Sequence, residues 1–367
     1  MRTNREPQYW RRSPDDATGI GNMCNSTGMP YEESRQLLVV VYSVVFAVGL
    51  PANCVTAIVT FIQIGRKNIT AIYLFGLSLC ELMYLSTLPL WIIYVQNGHH
   101  WTMGPTSCLV TGYIFFCNIY ISILLLCCIS IDRYIAVVYA LETRGKRWRC
   151  QTTATVVTAF LFSMVAVIYS PVFFMTHIQS PNSTTCFEEP FNSPVAYYNI
   201  ARFFVGFIIP FLLLICMNYK IFQSIKTSYS LSSSQKAKVK HLAVAVISIF
   251  VICFAPYHSV VLVKAITFLL FPKQACSLEK DIYTTSVVFL CFSTANAVAD
   301  PFIYVLRCFY AGNLHCLAMV SLCLWEKSLQ HTSPVAGLPF QALTVRSELN
   351  PMPRYSLSIQ APVSAAI

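Results

Sequence analysis

The chain has 367 residues, 56% of them apolar, with 25 Lys and Arg against 15 Asp and Glu. Charged residues make up only 11%, whereas soluble domains carry about 25%. A chain of this length would form two or three soluble domains. With a mean hydropathy of +0.59, it has too few charged residues to solvate their surfaces. The net charge of +10 does not indicate a nucleic-acid-binding protein, because the Lys and Arg residues form no patch interleaved with aromatic residues. The composition therefore excludes soluble, disordered and nucleic-acid-binding classes.

Seven apolar windows are each long enough for a helix that crosses a hydrocarbon core, which takes about 20 residues. We call them spans one to seven, and they cover residues 37–64, 69–94, 109–131, 152–176, 195–217, 242–263 and 283–306. A single window could be a buried helix of a soluble core, but seven at near-regular spacing favour membrane helices. The sequence predicts an all-α integral membrane protein, with a seven-transmembrane helix bundle at 37–306 and tails at 1–36 and 307–367.

The basic residues of the short linkers predict the orientation, because loops rich in Lys and Arg stay in the cytoplasm. The loops after spans two and four contain no Lys or Arg. The linkers after spans one, three and five carry Arg66, Lys67, Arg144, Lys146, Arg147, Arg149, Lys220, Lys226, Lys236, Lys238 and Lys240. Five arginines in the N-terminal tail oppose this pattern mildly, although only Arg35 lies near a span. We expect the N-terminus outside and the C-terminus inside.

This orientation sorts the cysteines and the glycosylation sequons. Sequons that begin at Asn25 and Asn182 face outward and are candidates for glycosylation, whereas one at Asn68 faces the cytosol. The oxidising side holds an even set of four cysteines, Cys24, Cys108, Cys186 and Cys276. Four cysteines allow three pairings, and their spacing does not choose among them.

Short motifs lie in order along the spans. Span three ends in Asp132-Arg133-Tyr134, and Arg133 comes 25 residues after Cys108. That separation is about 37 Å of helix, which puts the two residues at opposite membrane surfaces. Span one carries GLPAN at 49–53, span six CFAPYH at 253–258 and span seven DPFIY at 300–304. Together these motifs closely resemble those of the rhodopsin-like G protein-coupled receptors.

The resemblance covers about residues 32–306, and the runs 127–139 and 253–258 are similar to the proton-sensing and lysolipid receptor group. It implies a multi-pass receptor of the plasma membrane that signals to heterotrimeric G proteins. The implied ligand is an oxidised fatty acid, a lysophospholipid or a related acidic lipid, with protons as a modulator. It also implies two disulfide bridges, Cys108–Cys186 and Cys24–Cys276.

Some positions depart from the wider family. Glu81 stands where Asp is usual, Phe254 replaces a tryptophan of span six, and Asn218 stands where span five commonly has Tyr. The family's usual sodium site and aromatic toggle are therefore not carried over to this chain.

The inner end of span three carries an adjacent acid and base, Asp132 and Arg133. In the receptor interpretation they pair at rest, and the arginine is released toward a partner on activation; the alternative is a solvated pair at the interface. The resemblance extends this G-protein activation role to Tyr134, Pro301 and Tyr304.

Two carboxylic acids, Glu81 and Asp300, lie near the middle of spans two and seven. The resemblance places them close together, with Ser122 and Asn296 completing a polar cluster. Two carboxylates in a low-dielectric core cannot both ionise easily, so they should share a proton or bind a cation. We predict that proton uptake favours the active state, against the alternative of a static polar core.

Arg202 lies seven residues into span five, about 10 Å along the helix and too deep for easy snorkelling. On span six, one face carries Phe254, Tyr257, Val261 and Lys264, with His258 beside them. If these faces converge, they form a cationic end and an apolar floor for an amphiphilic anion, which Arg202 can contact through two hydrogen bonds. The alternative is that Arg202 pairs with a loop acid such as Glu188 or Glu189.

Four of the seven histidines lie on the predicted outer half: His99, His100, His177 and His258. Because histidine titrates near neutral pH, such residues can sense protons. We expect His99 and His100 to be ordinary exposed loop residues, which leaves His258 as the best single candidate.

Other classes fit the sequence less well. It holds no HExxH, GxSxG or Cys/His metal spacing, so we expect no enzyme, metal or cofactor. Mid-span carboxylates also mark ion- or proton-coupled transporters, but no internal repeat is present. A receptor with a peptide ligand and a signalling-silent scaffold remain alternatives. The basic segment 224–241 can contact a G protein or anionic membrane lipids, and Cys316 and Cys323 can be palmitoylated or remain free thiols.

Overall fold

The computed structural model describes residues 31–138, 150–170, 186, 193–227 and 232–311. Within these ranges seven helical segments are long and apolar enough to cross a membrane, which confirms the predicted bundle. Spans one, three, four, six and seven are the single helices Tyr31–Gly65, Pro105–Val138, Gln151–Tyr169, Ser233–Leu270 and Tyr283–Ala311. A short helix, Pro272–Asp281, joins spans six and seven. We call its end of the bundle the outer end and the opposite end the inner end, following the orientation predicted from the basic residues.

Spans two and five are each built from more than one segment. Span two consists of Ile69–Leu85 and Leu88–Gln96, and Pro89 lies in the first turn of the second part. Because proline has no N–H to donate to the carbonyl of Leu85, the helix is interrupted there. Span five consists of Ser193–Ala201, a π-helical turn Arg202–Ile208, and Ile209–Thr227.

Most helices extend beyond their apolar windows. Span one starts at Tyr31 with Glu32 and Glu33 in its first turn, where carboxylates favour the positive end of the helix dipole. Span six begins at Ser233, inside the basic segment. The helix of span four ends at Tyr169, and the rest of its predicted window lies outside the described residues.

Span three lies at the centre of the bundle, and its side chains join the main apolar core. Ile123, Leu125 and Leu126 are fully buried there against Leu77 of span two and Phe250 of span six. Many large apolar side chains instead point outward, among them Val40, Val156, Phe160, Val167 and Leu212. An apolar exterior suits a bundle whose surrounding solvent is hydrocarbon.

A disulfide bond joins Cys108, at the outer end of span three, to Cys186, with 5.7 Å between their Cα atoms. This confirms the first predicted bridge and ties the chain before span five to span three. Cys24 lies outside the described residues and the side chain of Cys276 is not described, so the second bridge stays a prediction. Asn25 and Asn182 also lie outside the described residues.

Candidate functional site

The inner end of span three holds a three-residue lock. Arg133 Nη2 lies 3.8 Å from Asp132 Oδ2, so the predicted acid and base are paired. Thr70, in the first turn of span two, donates its hydroxyl hydrogen to Asp132 Oδ2 and accepts a hydrogen bond from Arg133 Nη2. Asp132 and Thr70 are buried. We call Asp132, Arg133 and Thr70 the inner lock.

Sequence reasoning missed Thr70. Its only sequence signal was the sequon at 68–70, which on the predicted cytosolic side excluded glycosylation and indicated nothing further. The contact depends on the register between spans two and three, which no local pattern encodes.

The other predicted activation residues occupy the inner halves of spans three and seven. Lys220 Nζ of span five lies 5.6 Å from the centre of the Tyr134 ring, within cation–π range. Pro301 is buried inside the helix of span seven. Tyr304 lies on the same helix, but its side chain is not described, so its role stays a prediction.

The four predicted polar-core residues converge in the middle of the bundle. Glu81 Oε1 accepts hydrogen bonds from Ser122 Oγ at 2.8 Å and from Asn296 Nδ2 at 2.9 Å. The Asn296 amide also donates to Asp300 Oδ2 at 3.0 Å. All four are 3% exposed or less. One amide of span seven therefore links the two carboxyl groups.

Three oxygen atoms of this polar core have no hydrogen-bond partner: Glu81 Oε2, Asn296 Oδ1 and Asp300 Oδ1. In the described part of the chain, no Lys or Arg forms an ion pair with Glu81 or Asp300. Buried polar atoms normally have partners, and an unpaired one is costly. The polar core thus contains several hydrogen-bond acceptors close together, and no described basic residue pairs with them.

The GLPAN segment ties span one to the same level of span seven. Asn53 Nδ2 donates to the carbonyl oxygen of Ala297 at 2.7 Å and to that of Gly49 at 2.9 Å. A Cβ at Gly49 would lie 3.1 Å from Leu85 Cδ2 and 3.5 Å from the carbonyl oxygen of Ala297. The small residue therefore permits the close approach of spans one, two and seven.

Arg202 starts the π-helical turn of span five and points among aromatic rings. Its guanidinium carbon lies 5.2 Å from the ring centre of Phe116 and 5.9 Å from that of Tyr257. Its Nη2 is 3.5 Å from the Tyr257 hydroxyl oxygen, and its buried Nε has no hydrogen-bond partner. The structure therefore brings Arg202 and Tyr257 together, which is the condition that the ligand-site hypothesis set.

No carboxylate lies within ion-pair distance of Arg202 among the residues described. The alternative partners Glu188 and Glu189 lie outside these residues. Lys264, which was expected to share the cationic end, has Nζ 3.4 Å from Glu279 Oε1 of the outer helix. Val261 is half-buried on span six. Lys264 thus has its own counter-ion, whereas Arg202 is surrounded by rings.

His258 is enclosed beneath Tyr257 and is only 1% exposed. Its Nδ1 lies 2.8 Å from the carbonyl oxygen of Phe254, and its Nε2 lies 3.0 Å from the Tyr120 hydroxyl. The imidazole also stacks on Phe207, with 4.7 Å between ring centres. His258, the candidate proton sensor, therefore lies in the layer of aromatic rings directly beneath Arg202, which we call the aromatic floor.

The expectation that His99 is an exposed loop residue is wrong. The chain turns inward at Gly98 and His99, whose φ angles are 63° and 64°. The imidazole is consequently 3% exposed and stacks on the Tyr31 ring at 4.3 Å between centres. His100 is exposed as expected, and His177 lies outside the described residues.

Comparisons with known proteins indicate the family of this chain. The family model described as 7 transmembrane receptor (rhodopsin family) matches residues 52–304. The chain is 54% identical over 300 residues to the probable G-protein coupled receptor 132 of Mus musculus, covering 78% of this chain and 77% of that protein. The Homo sapiens counterpart is 53% identical over 287 residues, covering 77% and 73%. Lysophosphatidic acid receptor 4 of Homo sapiens is 34% identical over 274 residues, covering 72% of each chain.

Proposed function

The chain belongs to the rhodopsin family of seven-transmembrane receptors, and from this premise we propose that it responds to an acidic lipid held at Arg202. Membership makes it a multi-pass receptor of the plasma membrane and not an enzyme, and implies coupling to G proteins. The ligand class that the site supports best is an amphiphilic anion such as an oxidised fatty acid or a lysophospholipid.

The observation that carries this proposal is the environment of Arg202. Its guanidinium has aromatic neighbours, and no described acid neutralises it. Arg202 is half-buried and its Nε is fully enclosed. A cation in such a place without a counter-ion is costly, so an anionic ligand gains free energy by supplying one. Guanidinium binds a carboxylate or phosphate through two parallel hydrogen bonds, and the aromatic rings offer apolar surface to a hydrocarbon tail.

One relative supports the same ligand class. The name of lysophosphatidic acid receptor 4, which is 34% identical to this chain, states a lipid with an anionic phosphate. A lipid of this kind has the anionic head and apolar tail that the surroundings of Arg202 suit.

The test compares an acid with its neutral derivative. Purified receptor in lipid nanodiscs is assayed for nucleotide exchange on G proteins, with a hydroxylated C18 fatty acid, its methyl ester and lysophosphatidic acid as ligands. We expect wild type to favour each acid over the ester, and Arg202→Gln to lower the potency of the acids about 10- to 100-fold, the effect of a charge-assisted hydrogen-bond pair.

Arg35→Gln is the matched control, because Arg35 is an arginine at the outer end of span one that pairs with Glu32 outside the site. It should leave the potency of every ligand unchanged. An Arg202→Gln receptor that still prefers the acid over its ester would refute the anion-anchor role.

We also propose that protons modulate the receptor at the polar core. Glu81 and Asp300 share one amide donor, each keeps an oxygen without a partner, and no described base compensates them. Placing one proton on this pair removes the charge of one carboxylate and adds a hydrogen-bond donor among the unpaired acceptors. Proton uptake then favours the packing of the active state.

A further inference from the structure

The helix of span six contains a proline at position 256, within Ser233–Leu270. Proline has no N–H for the carbonyl of Ile252, and its ring pushes against the preceding turn. Sharp bends in helices occur at such sites. Span six can therefore bend at Pro256, and a bend there moves its inner part relative to the rest of the bundle.

A side chain of span seven contacts the backbone just before this proline. Ser293 Oγ donates a hydrogen bond to the carbonyl oxygen of Cys253 at 2.9 Å, and both residues are buried. Cys253 lies three residues before Pro256, in the turn that the proline disturbs. Ser286, another serine of span seven, instead donates to the carbonyl oxygen of Ile282, the residue just before its own helix, at 2.8 Å and, among the described residues, reaches no other span. The Ser293 bond thus joins two helices at the point where one of them can bend.

A side chain of span three contacts the helix just after the proline. A carbonyl oxygen only accepts hydrogen bonds, so His258 Nδ1 carries the hydrogen that points at Phe254. In a neutral imidazole Nε2 is then an acceptor, and the Tyr120 hydroxyl at 3.0 Å is its donor.

The position of the Tyr120 ring depends on a glycine of span five. A Cβ at Gly206 would lie 2.5 Å from Tyr120 Cε1, closer than real Cβ contacts allow. The ring can therefore occupy this place only because residue 206, in the π-helical turn, has no side chain.

We propose that these two hydrogen bonds, Ser293 to Cys253 and Tyr120 to His258, form a hinge bracket that holds span six in the conformation described here. One bond lies on each side of Pro256, and they reach two different neighbouring helices. Bending at the proline changes the position of Cys253 relative to His258. Because these two residues are bonded to different spans, at least one of the two hydrogen bonds must break when span six bends. Ser293 and Tyr120 act as positioning residues for the transition between receptor states.

The hinge bracket is linked to the Arg202 site through Tyr257. Arg202 contacts Tyr257, and the Tyr257 and His258 rings are 5.4 Å apart in an edge-to-face arrangement. A ligand that moves Tyr257 therefore disturbs the neighbour that carries one of the two bonds. This part of the inference rests on the proposed function, whereas the bracket itself is a property of the ligand-free bundle.

The test uses the receptor without ligand. Ser293→Ala should raise basal nucleotide exchange about 3- to 10-fold, since it removes one hydrogen bond that favours the resting state. Ser293→Thr keeps the hydroxyl and should stay near wild type. Ser286→Ala is the matched control, because it removes a serine hydroxyl bond on the same helix that reaches no neighbour, and it should leave basal exchange unchanged.

Two further measurements keep the outcomes distinct. Tyr120→Phe should also raise basal exchange, and hydrogen–deuterium exchange of the amides at 248–256 should increase in Ser293→Ala but not in Ser286→Ala. Faster amide exchange without any nucleotide exchange, in wild type or variant, would support the bracket and refute the proposed signalling. Unchanged amide exchange and unchanged basal activity in Ser293→Ala would overturn the bracket.

Discussion

The polar core and the Arg202 site both place ionisable groups inside the bundle, yet they treat them differently. The Asn296 amide links Glu81 to Asp300, and Ser122 of span three donates a further hydrogen bond to Glu81. Within the described part of the chain, Arg202 makes one long hydrogen bond, at 3.5 Å to the Tyr257 hydroxyl, and otherwise faces aromatic rings. The first region is an internal network, and the second is a charge that has no acidic partner among the residues that the structure describes.

This difference assigns different roles to the two regions. A network whose members bond to one another changes by rearranging its own bonds or by taking up a proton, so we propose that the polar core sets the balance between receptor states. A cation held among rings changes little by itself and gains most from an external anion. Substitutions in the polar core should therefore alter basal activity and its pH dependence, and substitutions at the Arg202 site should alter ligand potency.

The largest expected effect comes from removing both ionisable groups of the polar core. In Glu81→Gln combined with Asp300→Asn, the pair can no longer exchange a proton, while the size of each side chain is kept. Wild type should show rising nucleotide exchange as the external pH is lowered, because proton uptake favours the active state, and the double variant should lose this dependence.

The measurement is basal exchange across a pH series, with Glu279→Gln as a control acid at the outer end of the bundle. A double variant with wild-type basal activity and an unaltered pH response would break the contrast between the regions, since the network would then be static.

The second prediction concerns how the aromatic floor beneath Arg202 is packed. In Gly206→Ala the new methyl group would meet the Tyr120 ring at 2.5 Å, and overpacking of this kind costs about 1–3 kcal/mol. We expect a lower thermal unfolding temperature in detergent or nanodiscs.

Gly65→Ala is the matched control, because a Cβ at Gly65, in the last turn of span one, has nothing within 4 Å. It should change stability by less than about 0.5 kcal/mol. Equal stability of the two variants would show that the floor is loosely packed and that Tyr120 is not fixed by span five.

The third prediction tests the inner lock through the residue that holds both partners. Thr70→Val has nearly the same shape but no hydroxyl, so Asp132 and Arg133 each lose a hydrogen bond. Basal exchange should rise about 5-fold, the effect of about 1 kcal/mol. Thr70→Ser should restore the wild-type value.

Thr60→Val provides the comparison for this substitution. Thr60 is also a buried threonine, but its hydroxyl bonds to the carbonyls of Thr56 and Ala57 in its own helix. Should Thr60→Val raise basal exchange as much as Thr70→Val does, the effect would reflect general loosening and not release of Arg133.

The sequence predicted the parts of this arrangement that depend on composition or on ordered motifs. The spans follow from apolar windows, because a chain crosses hydrocarbon only with its backbone hydrogen bonds satisfied, and windows of about 20 apolar residues satisfy them as helices. The convergence of Glu81 and Asp300 follows from the resemblance alone. The dual contact of Thr70 and the inward turn of His99 were not predictable, since the first needs the register between two helices and the second depends on two positive φ angles. The π-helical turn at Arg202 has no sequence signal that we can identify.

The smallest expected effect concerns Lys264, the second cation that the sequence assigned to the ligand site. Its Nζ lies 3.4 Å from Glu279 Oε1, and both side chains are more than three-quarters buried, with exposures of 16% and 23%. A cation that already has a counter-ion offers less to an incoming anion than Arg202 does, because the ligand must first displace the glutamate. Lys264→Gln should therefore change the potency of an acidic lipid by less than about 3-fold, against the larger loss in Arg202→Gln.

The variant Glu279→Gln makes this comparison sharper. It removes the counter-ion and leaves Lys264 available, so acidic lipids should bind equally well or slightly better, and a double variant with Lys264→Gln should remove any such gain. If Lys264→Gln alone lowered potency as strongly as Arg202→Gln, the outer end would be a two-cation site. A phosphate-bearing ligand would then fit it better than a carboxylate, since its second negative charge matches the second cation.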